Sequence, residues 1–193
     1  MKRLNITDLL TLEEYDAQRP IIKDKLLGHK KNRTVNIGNH ITLIFEDYET
    51  IKYQVQEMLR IEKIFNKDEI QSEIDAYSPL IPDGHNLKAT MLIMYPNVSE
   101  RKAMLKKLYN IENKIWIRVN DGKKYFAISD EDLERSTDDK TSAVHFLRFE
   151  LDEDVTKEFK LSNQIYFGSD HDSYIETINI TTSVRDSLQK DFD

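Results

Sequence analysis

Three turn signals, each set between runs of β-branched and aromatic residues, constrain this chain more than any other feature. Gly38-Asn39 separates Arg33–Ile37 from His40–Phe45, and Asn120-Asp121-Gly122 separates Lys114–Val119 from Lys123–Ile128. Ser169-Asp170-His171-Asp172 lies between Gln164–Gly168 and Tyr174–Ile180. Gly, Asn and Asp tolerate the positive φ of tight hairpin turns, so each motif predicts two antiparallel strands. Three hairpins in one chain favour an antiparallel or mixed sheet packed against helices over a doubly wound parallel sheet. Further strands are predicted over Leu87–Tyr95, ended by Pro96, and over Ala143–Leu151.

Helical patterns fill the intervals. Thr11-Leu12-Glu13-Glu14 has capping-box spacing, which starts a helix there. Pro20 cannot donate an N–H inside that helix, so it is expected to open a second one carrying Ile21, Ile22, Leu26 and Leu27 and fraying into the basic run His29-Lys30-Lys31-Asn32-Arg33. The longest helical pattern runs from about Asp47 to Phe65, with Ile51, Val55, Met58, Leu59 and Phe65 as its apolar stripe. Shorter helices are predicted over Asp68–Tyr77, over Ser99–Tyr109 with Ser99 as cap, over Glu153–Phe159 and over Thr181–Phe192. With 193 residues and no evident linker, the chain reads as one α+β domain over 1–193. Its N-terminal part, about 1–32, is helical, and its half from about 114 to 181 is strand-rich.

Composition removes several function classes. The chain has no cysteine, which excludes thiol catalysis, disulfides and cysteine-ligated zinc or iron–sulfur centres and makes the cytoplasm the expected location. No apolar run reaches the roughly 18 residues a bilayer span requires, and the N-terminus has no signal-peptide pattern, so no membrane partner is expected. A net charge of −7 argues against a nucleic-acid partner. Five glycines leave no dinucleotide fingerprint or phosphate loop, and no cofactor motif is present. Any metal site would have to use His and carboxylates, and none is assigned. Nothing in the sequence sets the oligomeric state.

Several long stretches carry a resemblance. They are Tyr53-Gln54-Val55-Gln56-Glu57-Met58-Leu59-Arg60, Pro79-Leu80-Ile81-Pro82-Asp83-Gly84, Asn86-Leu87-Lys88-Ala89-Thr90, and Asp132-Leu133-Glu134-Arg135-Ser136-Thr137 continuing through Lys140 to Glu150. Together they resemble the bacterial domain-of-unknown-function family 3501 over nearly the whole chain. That family carries no assigned activity to transfer. Its genes often lie beside those of a rubrerythrin-like protein and an iron–sulfur oxidoreductase, so the resemblance implies a place next to peroxide or electron-transfer chemistry, with those proteins as possible partners.

The residues themselves offer few constellations. Tyr53, Glu57 and Arg60 share one helix face at i, i+4 and i+7, either as an ion-paired surface or as the polar wall of a pocket. His145 alternates with Ala143, Leu147, Phe149 and Leu151, the pattern of a hydrogen-bonded core histidine or of a catalytic acid/base. Arg148 and Glu150 share the opposite face. The connector Glu134–Ser142 combines Arg135 and Lys140 with hydroxyls, a composition that holds anions or caps turns. Asp170-His171-Asp172 and His85 read as surface turns.

Charge is uneven: residues 101–124 hold eight Lys/Arg against Glu112 and Asp121, while 130–160 hold eleven acids against five bases. Such asymmetry steers transient partners. Two readings follow. In the first, the chain is an accessory or interaction protein of a redox system, docking through Arg101, Lys102, Lys106 and Lys107. In the second, it is an enzyme or small-molecule binder holding an anionic substrate in a pocket of Tyr53, Glu57, Arg60, Arg135, Lys140 and Arg148, with His145 and Glu57 as catalytic candidates.

Overall fold

The computed structural model describes residues 3–131, 135–137 and 139–192; Glu134 and Asp138 of the connector, like Asp132 and Leu133 of the resemblance, lie outside them. Two antiparallel sheets stand in place of the single sheet the hairpins suggested. The first has the order β1-β2-β3-β7-β6, built from β1 Thr34–Ile37, β2 Ile41–Phe45, β3 Asn86–Ile93, β6 Ile128–Ser129 and β7 Val144–Glu150. The second has the order β5-β4-β8-β9, from β4 Ile115–Val119, β5 Tyr125–Phe126, β8 Ile165–His171 and β9 Tyr174–Asn179.

The predicted strand Lys123–Ile128 is therefore two strands. Tyr125-Phe126 pairs with β4, and Ile128-Ser129 pairs with β7 in the other sheet. Ala127, buried at the corner, donates its N–H to the Ile115 carbonyl. A corner of this kind lets one strand serve two packed sheets without leaving backbone groups unpaired.

Alternation fills the space between the sheets. Val35, Ile37, Leu43, Phe45, Ala89, Met91, Leu147 and Phe149 from the first sheet meet Ile115, Ile117, Ile165 and Phe167 from the second in one core. Phe45, Phe149 and Phe167 pack at centroid distances of 5.2–6.2 Å in tilted and edge-on geometries, which are favoured over face-to-face stacking. The helix α5 Glu153–Leu161 and the closing helix α6 Thr182–Leu188 join this core through Phe159, Val184 and Leu188, with Phe192 edge-on to Phe159.

A second, smaller core belongs to the N-terminal helices α1 Leu12–Lys31, α2 Tyr48–Glu62 and α3 Lys67–Tyr77, with Leu4, Ile51, Val55, Leu59, Ile74 and Ile81 buried in it. Pro20 sits inside α1 and does not begin a new helix. It is exposed, so its ring and the carbonyl it leaves unbonded face solvent, where the cost is least. Of the four apolar residues assigned to this segment, Leu26 is buried while Ile21 and Leu27 are 62% and 53% exposed.

The Thr11 and Asp47 capping boxes start α1 and α2. The stripe predicted for α2 stops short of Phe65. Lys63 turns left-handed at φ 56, ends the helix, and leaves Phe65 73% exposed. The basic helix α4 Val98–Lys107 is capped by Asn97, whose side chain accepts from the Glu100 N–H, and not by Ser99.

Arg33, the last residue of the supposed frayed basic run, is 1% exposed. Its guanidinium donates to the carbonyls of Phe45 (3.0 Å), Glu46 (2.9 Å) and Ser187 (3.3 Å) and to the Asp191 carboxylate (2.5 Å), and its Nε lies 3.3 Å from Asp47. Burial pushes the Asp191 carboxyl up to about 6 even though Arg33 pulls the other way. Replacing Arg33 by Leu strands two carboxylates and three carbonyls, and should lower stability by about 3–5 kcal/mol in urea unfolding. Arg33→Lys should recover only part of this, because an ammonium cannot span the same fork.

Candidate functional site

The polar face of α2 looks into α1. The Tyr15 hydroxyl donates to Glu57 at 2.6 Å, and Arg19 grips the same carboxylate with Nε and Nη2 at 2.7 and 2.8 Å. This bidentate guanidinium holds the Glu57 carboxyl down at about 2, against the opposing effect of burial. Arg60 pairs with Asp16 of α1 at 2.8 Å. Tyr53 lines a groove of about 480 Å³ between the two helices, with Tyr15, Ile22, Leu26, Lys52 and Gln56. Tyr53, Glu57 and Arg60 thus form one helix–helix seam, with Tyr15, Arg19 and Asp16 as partners that lie some 40 positions earlier and share no local pattern with α2.

His145 lies elsewhere, on the inner face of β7 and fully buried. Asp130, at φ 51, turns the chain as it leaves β6, a conformation Asp tolerates. Its carboxylate accepts from the Phe146 N–H (3.1 Å) and sits 2.6 Å from His145 Nδ1. On the other side, His145 Nε2 faces the Thr141 hydroxyl oxygen at 2.8 Å and the Ser142 carbonyl at 3.1 Å. Thr141 donates its own proton to Glu112 at 2.8 Å, and Ser136 donates to the other Glu112 oxygen at 2.7 Å.

Both ring nitrogens therefore face acceptors, which leaves neither with a lone pair directed at a substrate. The Asp–His–Thr order has the form of a nucleophile relay. Here, however, the hydroxyl is 1% exposed and already committed to Glu112. The connector's hydroxyls do hold an anion: it is the chain's own Glu112. A histidine on an apolar face announces that partners exist, but no local signal names Asp130 or Glu112.

Of the remaining candidates, Arg135 pairs with Asp130 at 3.3 Å and stacks over Phe146 at 4.5 Å. Lys140 is exposed. Arg148, on the outer face of the first sheet, binds both Glu131 oxygens at 2.8 Å and also pairs with Glu150. It lines a second groove with Lys88, whose amine donates to the carbonyls of Pro79 (2.7 Å) and Ile81 (2.9 Å) and is pushed down by burial. The structure thus places the candidate site residues in three separate ion-paired clusters, with Lys140 apart.

Arg101 is half-buried on α4, 3.5 Å from the Tyr95 carbonyl. Lys102, Lys106 and Lys107 are exposed, and Lys106 lies 3.8 Å from Asp139. Among the described residues no group of three or more His, Asp or Glu is placed to hold a metal ion, and no helix is long and apolar enough to cross a membrane.

Comparison with known proteins places the chain. A family model described as "Protein of unknown function (DUF3501)" matches residues 3–192. The chain belongs to the DUF3501 family. It is similar to a solved structure from Burkholderia pseudomallei K96243, a novel protein of unknown function, with 49% identity, a TM-score of 0.93 and full coverage of both chains. No curated protein matches this DUF3501 chain.

The Glu57 seam has a pH signature. A carboxylate lowered from its ordinary 4.5 to about 2 stabilises the fold fully above pH 4.5 and progressively less as pH falls toward 2. Because Arg19 is about a third exposed, the effect is roughly 1–3 kcal/mol. Glu57→Gln should lower stability by that amount at neutral pH and match the wild type near pH 2, as measured by urea unfolding across the window.

Proposed function

We propose that this DUF3501 protein is an accessory interaction protein, performing no chemistry of its own, which docks on an acidic partner through α4. The observation that carries this reading is the contrast between its polar groups. Those resembling catalytic machinery are bound to one another inside the fold, while the lysines of α4 face outward.

That helix buries none of its residues, and it presents Lys102, Lys106 and Lys107 beside exposed Val98. Met94 and Tyr109, which flank it in sequence, are each 47% exposed. Basic residues around scattered apolar contacts suit a small, salt-sensitive, transient interface. The neighbourhood implied by the family resemblance supplies the partner class: a rubrerythrin-like protein or an iron–sulfur oxidoreductase of a cytoplasmic peroxide-stress or redox system.

A second reading is favoured by the groove between α1 and α2. Tyr53 and Lys52 there would hold a small anionic molecule with an apolar body, in line with the usual make-up of ligand clefts.

One experiment separates the two. The tagged wild type and the variant Lys102→Glu/Lys106→Glu/Lys107→Glu are each used to capture partners from native lysate at low salt. The docking reading predicts a redox protein recovered in near-stoichiometric amount by the wild type and lost with the triple variant. Equal recovery by both contradicts it.

A further inference from the structure

The outer face of the second sheet brings the single tryptophan beside an arginine, a lysine and a tyrosine. The strand register sets its rows: Arg118, Tyr166 and Asn179 in one, and Phe126, Trp116, Gly168 and Thr177 in the next. Trp116 lies flat against the sheet because Gly168 opposite has no side chain; a Cβ there would come within 2.4 Å of the indole. The indole N–H donates to Asp170 at 2.8 Å, and Lys124 Nζ stands 4.3 Å from the indole ring while binding both Asp170 oxygens at 2.7 Å. Burial alone would raise the Asp170 carboxyl, but these donors outweigh it and hold it low. Asp170 is therefore fully occupied by Lys124 and Trp116.

Arg118 is left over. Its guanidinium lies 4.9 Å from the Tyr166 ring and 5.8 Å from Trp116, fixed by stacking on two aromatic faces. Its Nε is buried and has no hydrogen-bond partner among the described residues. That nitrogen is closed to a partner, but Arg118 is only half-buried, and a carboxylate can reach the outward terminal nitrogens of its guanidinium. Trp116 is only 2% exposed and forms the floor under Arg118 and Lys124, so the surface a partner meets is Arg118 with Tyr166, residue types enriched at the centres of protein interfaces. Phe126, 44% exposed, and Ile175, 73% exposed, flank the cluster with apolar surface.

We propose that the outer face of the second sheet binds an acidic segment of a partner protein, with Arg118 clamping a carboxylate beside Trp116 and Tyr166. The charge argues for this occupant: Lys124 neutralises Asp170, Lys114 also acts on it, and Arg118 has no ion pair among the described residues, on a chain of net charge −7. Preorganisation argues the same way, since stacking has already fixed the arginine that the partner uses. The inference deepens the interaction-protein reading, which places docking on α4, by adding a second anchor on a different element.

Trp116 is the sole tryptophan, so its indole N–H gives a unique nuclear magnetic resonance signal at the site. The probe is a synthetic peptide alternating Glu with Leu and Phe, compared with its Gln counterpart and with single-stranded DNA of equal charge. The acidic peptide should shift the Trp116 indole signal saturably, and the Gln peptide should not. Arg118→Met should weaken the peptide by about tenfold and Arg118→Lys by less, both with unchanged thermal unfolding. The α4 triple variant should still bind the peptide.

No shift at millimolar peptide, equal binding by Arg118→Met, or DNA binding as tightly as the peptide each overturns the proposal. If the α4 triple variant loses the native redox partner while Arg118→Met keeps it, the sheet proposal fails and the docking reading stands. If the peptide result holds and no native partner is captured, the reverse is true.

Discussion

The fold depends on a buried guanidinium. Arg33 follows α1, yet its hydrogen bonds reach the end of β2, the cap of α2 and the C-terminal segment at Ser187 and Asp191. Burying a charge is costly unless its donors are matched, and Arg33 offers a planar fork to two backbone carbonyls at one end of β2 and to two carboxylates from distant parts of the chain. His29 adds to the junction by binding Asp47 at 2.6 Å. The helical layer and the sandwich are thereby joined by a directional contact that apolar packing alone does not provide.

Arg33 also marks where sequence reading stops. In the chain it closes a basic run at a helix end, the usual place for solvated cations. Its partners at Ser187 and Asp191 are 154 and 158 residues away, and no local pattern encodes them. Features governed by neighbours in sequence were legible: the three hairpins, the Thr11 capping box, and the alternation that turns His145 inward, although the third hairpin turns at Asp172-Ser173 because Ser169, Asp170 and His171 remain in β8, paired with β9. Features governed by tertiary context were not. Pro20 stays within α1 because its face is solvent, and Phe65 leaves the α2 stripe because Lys63 turns left-handed. The strand after Gly122 divides at Ala127 because two sheets need it.

The candidate site was partly legible for the same reason. Spacing put Tyr53, Glu57 and Arg60 on one face, but their partners come from α1. The composition of the connector suggested anion binding, and its hydroxyls do bind an anion, although that anion is Glu112 of the same chain. Polar side chains that look like chemistry in the sequence instead close hydrogen-bond networks in the structure. Cations that look like ordinary solvated charge are the ones left facing outward, on α4 and on the outer face of the second sheet. Recognition of an acidic partner is the function this distribution supports.

Zero-length carboxyl-to-amine crosslinking in native cells, mapped by mass spectrometry, tests that conclusion most directly, because it reports which lysines lie against another protein's acids. Intermolecular links are expected from Lys102, Lys106 and Lys107 of α4 and from Lys114 and Lys124, which border β4 and β5 of the second sheet. Links confined to Lys25 and Lys52 beside the α1–α2 groove, or the absence of any intermolecular link, would contradict it.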